Sequence, residues 1–136
     1  MSKRVLITGG NKGIGLAVSR AMLEFGYEII IVARDFDTCP LVGVKNVTAI
    51  EYDLSDVDGL HQLAKTIGNV DILINNAWFY LSGIAEETTI EQWKNQFETN
   101  FWWTIKLTNE LLPYFRKQGF WKIITVGSIM WLISFP

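Results

Sequence analysis

Apolar positions along this chain fall into two kinds of pattern, short continuous runs and longer stretches with helical spacing. RVLITGG (residues 4–10) is a β-branched apolar run stopped by glycines, which predicts a buried strand. In IGLAVSRAMLEFG, Ile14, Val18, Ala21, Met22 and Phe25 recur at helical spacing, and Gly26 supplies a C-terminal stop. EIIIVA (residues 28–33) predicts a second strand. The connection over residues 34–45 contains Cys39-Pro40 and a glycine, and it has room for one helical turn at most. NVTAIEYD (residues 46–53) predicts a third strand, and SDVDGLHQLAKTIG predicts a helix capped by Ser55 with acids in its first turn. VDILINNA (residues 70–77) predicts a fourth strand.

A long amphipathic helix is expected next, with Thr89 as N-cap, Ile90, Trp93, Phe97, Phe101, Ile105, Thr108 and Leu112 on one side, and a bend at Pro113. WKIITVG (residues 121–127) predicts the fifth strand. Strands alternating with helices imply an α/β protein, a parallel sheet with right-handed crossovers and helices on its faces.

Composition narrows the classes. The 136 residues, 49% of them hydrophobic, suit one compact domain spanning residues 1–136. Net charge is −2 and the cations are scattered, so no nucleic-acid footprint is expected. Cys39, the only cysteine, has no disulfide partner and no companion ligand for a metal, which suits a reducing compartment. The N-terminal apolar run is too short for a signal peptide or a membrane span, so a cytoplasmic protein is expected. His61, the only histidine, reads as a surface helix residue.

The chemistry concentrates where the first strand meets the first helix. In TGGNKGIG, Gly9, Gly13 and Gly15 are separated by three residues and then by one. A glycine-rich strand-to-helix turn lets the backbone approach a pyrophosphate, and the helix N-terminus adds amide donors and a positive dipole. This turn, an Asp after the third strand, Asn-Asn-Ala after the fourth and an Asn in the long helix together resemble the short-chain dehydrogenase/reductase family over essentially the whole chain.

The resemblance implies a three-layer Rossmann-like fold with a five-stranded parallel sheet of order 3-2-1-4-5. It also implies that Thr8, Gly9, Gly13, Ile14 and Gly15 form the cofactor turn, that Asp53 and Leu54 read adenine, and that Asn75, Asn76 and Ala77 flank the ribose. Asn75 has an alternative role as a buried amide bracing neighbouring strands, which the family also assigns to this motif. Asn100 matches the asparagine that holds the active-site water chain, and Ser128 the catalytic serine. Lys12 and Arg34 stand where members preferring NADP(H) carry cations for the 2′-phosphate, while Asp35 argues mildly for NAD(H). NADP(H) is the expected cofactor and NAD(H) the second choice.

Two departures from the family pattern shape the functional expectation. The family's Tyr-x-x-x-Lys acid/base pair belongs about a dozen residues beyond the serine, and eight residues follow Ser128 here. Tyr80 and Tyr114 have no lysine four residues later and read as loop and helix-face aromatics. Hydride transfer is therefore not expected, and the fifth strand should form an exposed edge.

The other departure is tryptophan. All six lie between Trp78 and Trp131, and Trp78, Trp103, Trp121 and Trp131 coincide with family glycine positions. Overfilling an intact core costs about 1–3 kcal/mol per site against a total stability of roughly 5–15 kcal/mol. Indoles covering an uncovered surface instead bury about 150–250 Å² each. The pattern fits a deliberately shortened, engineered half of such an enzyme resurfaced with aromatics; a naturally diverged truncated reading frame is the alternative. Phe79, Phe101, Trp102, Phe120, Leu132 and Phe135 add large groups nearby and suggest a homodimer interface. Three readings remain open: a cofactor-binding module, a self-associating scaffold without ligand, and an oxidoreductase completed by a partner chain.

Overall fold

The computed structural model describes residues 2–78 and 87–128. Strands β1 (Arg4–Thr8), β2 (Glu28–Ala33), β3 (Val47–Glu51), β4 (Ile72–Asn75) and β5 (Lys122–Thr125) form one parallel sheet in the order β3-β2-β1-β4-β5, as expected. Register aligns Leu6 with Ile30 and Leu73, and Ile7 with Ile31 and Ile74. Because side chains alternate across a strand, the first row faces one layer of helices and the second the other. Both faces are covered, and this is why the central strands are apolar on both faces through their middles, Val5 to Ile7, Ile29 to Ala33 and Ile72 to Ile74.

On one face Leu6, Ile30 and Leu73 pack with Leu63 and Ile67 of α2 (Leu60–Ile67) and with Trp103, Leu107, Leu111 and Phe115 of α4 (Trp103–Gln118). His61 of α2 is exposed, as expected, and its Nδ1 lies 2.7 Å from Glu110 of α4. On the other face Ile7, Ile31 and Ile74 meet Leu16, Val18 and Met22 of α1 (Gly13–Glu24). The segment between β2 and β3 has no helix, yet it folds Leu41, Phe36 and Cys39 onto this second face.

Three helix expectations need correction. In α1 the buried residues are Gly15 and Ser19, with Leu16, Val18 and Met22 partly buried, while Ile14 and Phe25 are 64% and 79% exposed. The Ser19 hydroxyl donates to the Gly10 and Gly15 carbonyls, at 3.1 and 2.9 Å, and this contact with the glycine turn sets the face that α1 presents.

Helix α2 begins at Leu60 with Gly59 as N-cap and no acid in its first turn, so Ser55 is not its cap. Asp53 Oδ1 accepts from the Ser55 amide and hydroxyl, and Asp56 Oδ1 accepts from the Gly59 amide. These local bonds hold residues 53–59 in turns, which compete with helix for the same backbone groups.

The long helix is two helices, α3 (Ile90–Phe97) and α4, joined by a π-helical turn at Glu98–Trp102. Thr89 does cap α3: its hydroxyl accepts from the Gln92 amide, and the Gln92 side chain accepts from the Thr89 amide. The π turn carries an extra residue and rotates α4 about its axis relative to α3. The buried row is consequently Trp103, Leu107, Leu111 and Phe115, whereas Trp93, Phe97, Phe101 and Ile105 are exposed. The interruption thus falls upstream of Pro113, which lies inside α4.

The tryptophans at family glycine positions do not behave alike. Trp103 is 1% exposed in the core, whereas Trp78 and Trp121 are 67% and 43% exposed. Trp121 lies 6.3 Å from the Phe115 ring in a stacked arrangement. Trp131, Phe79, Tyr80, Leu132 and Phe135 lie outside the described residues. Strand β5 is exposed at every position, matching the expected open edge.

Candidate functional site

A cleft of about 400 Å³ opens at the carboxyl ends of β1 to β4, where the strand order reverses between β1 and β4. Reversal moves neighbouring connections to opposite faces and leaves a crevice between them. One wall is the glycine turn. Gly13 has φ +55° and nothing within 4 Å of where a Cβ would stand, so its backbone is open to the cleft. Gly15 is needed for the opposite reason, since a Cβ there would collide with the Gly9 carbonyl. Helix α1 starts at this turn with no side-chain cap and no acid in its first turn, so its dipole is left to attract an anion.

The turn is held by polar groups behind it. Thr8 is fully buried, and its hydroxyl accepts the amides of Asn76 and Ala77 at 3.0 and 3.1 Å. Asn76 Nδ2 donates to the Thr8 and Gly9 carbonyls at 3.0 and 3.2 Å. The role of bracing strands therefore belongs to Asn76. Asn75 is 2% exposed, does not line the cleft, and neither polar atom of its side chain is hydrogen-bonded.

Gly9, Lys12, Gly13, Ile14, Gly15, Arg34, Asp53, Leu54, Asn76 and Ala77 all line the cleft, so every expected cofactor residue except Thr8 and Asn75 is brought to it. Lys12 and Arg34 are exposed there, beside the half-buried Asp35.

Other lining residues escaped the sequence reading. Asn11 is 5% exposed, and its Nδ2 donates to the Asp35 carbonyl at 2.8 Å; an asparagine among turn glycines was the available signal. Tyr52 forms part of the wall, its hydroxyl donating to the Asp56 carbonyl at 2.6 Å. Burial, the hydrogen bond to the Asp56 carboxylate and the charges of Asp56, Asp53 and Asp58 push its pKa up to about 12. Trp103 closes the floor, and Trp78, whose family position already places it near the cofactor, stands at the rim.

A family model for short-chain dehydrogenases matches residues 3–136. The chain belongs to the short-chain dehydrogenase family.

An uncharacterized oxidoreductase of Schizosaccharomyces pombe is 37% identical over 119 residues, covering 85% of this chain and 40% of that protein. Acetoacetyl-CoA reductase of Rhizobium meliloti is 30% identical over 135 residues, covering 95% of this chain and 56% of that enzyme. The structure of Pseudomonas aeruginosa RhlG in an NADP active-site complex superposes with a TM-score of 0.87 at 28% identity, over 98% of this chain and 57% of RhlG. The chain thus spans about half the length of the relatives it matches.

Two positions that the family resemblance marks as catalytic stand apart from the cleft lining. Asn100 is half-buried in the π-helical turn, and Ser128 is exposed just beyond β5. Among the described residues, no helix is long and apolar enough to cross a membrane.

Proposed function

We propose that this chain binds a nicotinamide dinucleotide in the cleft, NADP(H) in preference to NAD(H). The observation that carries this reading is the meeting of Lys12, Arg34 and the glycine turn on one cleft. The residues fit the ligand: an open Gly13 backbone and an uncapped helix N-terminus suit a pyrophosphate, and two cations suit a further phosphate. The NADP named in the RhlG complex supports the same choice. Asp53 and Leu54 would then border the adenine. The nicotinamide of such a cofactor would be the hydride carrier of any redox step.

Titration with NADPH and NADH, followed by tryptophan fluorescence, tests the reading. The wild-type chain should bind NADPH more tightly, and Arg34→Ala or Lys12→Ala should erase most of the difference. Equal affinities in the wild type would overturn the NADP preference, and no saturable change with either ligand would overturn dinucleotide binding.

None of the four tyrosines is followed four residues later by lysine. For these 136 residues by themselves we therefore propose binding without hydride transfer, in a cytoplasmic setting. Oxidation of NADPH by the chain alone in the presence of ketones would contradict this. Oxidation only on mixing with a second chain would favour completion by a partner.

Self-association is a second reading, favoured by the exposed row Trp93, Phe97, Phe101 and Ile105. These residues recur every four positions and add up to an apolar stripe of the kind that drives association. A strictly monomeric solution mass at high concentration would remove it.

A further inference from the structure

We propose that Asn11 is the positioning residue that sets the preference between NADPH and NADH, by tying the segment carrying Lys12 to the segment carrying Arg34. The proposal rests on the dinucleotide reading and adds to it the origin of the selectivity.

Regular structure stops just short of one of the two cations. The last bonds that fix β2 at its carboxyl end are the Gly9 amide to Val32 O and the Tyr52 amide to Ala33 O, at 2.8 and 2.9 Å. Arg34 and Asp35 lie beyond them, at the start of a connection that reaches β3 without a helix or a strand. A cation on such a segment has no ladder to hold its backbone. Asn11 provides an anchor, through the 2.8 Å bond from its Nδ2 to the Asp35 carbonyl across 24 positions of sequence. Its side chain is 5% exposed, so water competes poorly for that bond.

The neighbours of the two bonded residues make the bond relevant to selectivity. Lys12 follows Asn11 and Arg34 precedes Asp35, so this hydrogen bond links the two backbone segments that carry the cations, adding to the Gly9–Val32 bond two residues before Arg34. The other side-chain supports of the glycine turn come from Ser19 and Asn76, which bond to the turn and to β1 but not to this connection. A phosphomonoester gains most when both cations are already converged, because ordering them at the moment of binding costs affinity. NADH lacks the 2′-phosphate and meets the same glycine turn. Its affinity should be indifferent to the separation of the cations.

The test measures NADPH and NADH dissociation constants by tryptophan fluorescence for the wild type, Asn11→Ala, Arg34→Ala and the double variant. Asn11→Ala should lower the ratio of NADPH to NADH affinity by about fivefold or more, with NADH binding changed less than about twofold. In the Arg34→Ala background the same substitution should leave the ratio unchanged, which a merely structural loop brace would not produce. Asn11→Ser, whose hydroxyl is too short to reach Asp35, should repeat the drop, and retained NADH binding reports that each variant folds. Parallel weakening toward both cofactors, or an equal drop without Arg34, would overturn the proposal. Wild-type binding of neither cofactor would remove the dinucleotide reading and the proposal with it. Wild-type selectivity unaltered by Asn11→Ala would remove the role of Asn11 alone.

Discussion

The two ends of the sheet are held in different ways. Around β1, β2 and β4 the carboxyl ends are tied by buried polar groups: Thr8 and Asn76 join β1 to β4, Ser19 joins α1 to the glycine turn, and Asn11 reaches the β2 exit. Around β5 every residue from 116 to 128 is exposed, including Phe120, Trp121, Ile123 and Ile124. Geometry near the glycine turn is specified by hydrogen bonds, which demand particular atoms at particular distances. At the β5 end it rests on backbone pairing to β4, on the Gln118 side chain, which donates to the Val70 and Phe120 carbonyls, and on exposed apolar surface, which tolerates substitution. The cleft end is therefore fixed mainly by specific polar bonds, and the β5 end presents an exposed apolar surface.

Substitutions should expose this contrast most strongly in the core that the two ends share. Phe115→Ala removes a fully buried ring and should destabilise the chain by about 3–5 kcal/mol, whereas Phe101→Ala, on the exposed row, should stay within about 0.5 kcal/mol of wild type. Urea denaturation midpoints measure both. A large loss at Phe101 would show that the row is covered in solution.

A smaller effect is expected at the turn. Gly15→Ala forces a Cβ against the Gly9 carbonyl, should cost about 1–3 kcal/mol, and should abolish cofactor binding even where the variant remains folded. Thr89→Ala removes half of the capping box and should cost about 1 kcal/mol without altering the cleft.

The smallest effect concerns pH. Tyr52 has its pKa raised from 10.0 to about 12 in the folded chain, so folding favours the protonated phenol. Its contribution to stability is complete below pH 10, the ordinary value, and is lost as the pH rises toward about 12. Spectrophotometric titration should find a late-ionising tyrosine, and Asp56→Ala should bring it back toward the ordinary range.

The glycine turn and the five strands were legible because each rests on a local pattern, a β-branched run, a glycine stop or a turn of fixed spacing, and the strand order followed from the family resemblance that these motifs carry. What was misread depended on contacts remote in sequence or on competing local bonds. Asp53 looks like a strand-end acid, yet its carboxylate takes the Ser55 hydroxyl and so removes the expected helix cap. The row from Trp93 to Ile105 has sound helical periodicity, yet the π turn at Glu98–Trp102 hands the buried face to Trp103 and Leu107. No periodicity count anticipates an inserted residue. The tryptophans at family glycine positions suggested one common purpose, yet among the described residues Trp103 fills the core while Trp78 and Trp121 stay exposed, so these three do not share one environment. Asn11 lay in plain view inside the turn motif, but its partner Asp35 is distant in sequence and only the fold brings them together.

Isothermal titration calorimetry of the wild-type chain with NADPH and NADH, at the same ionic strength, asks the cleft for its ligand without relying on any substitution. Saturable binding of one dinucleotide per chain is expected, with NADPH tighter by about tenfold or more from two charge-assisted contacts to the additional phosphate. Absence of heat with both ligands, or tighter binding of NADH, would contradict the assignment of the cleft to NADP(H).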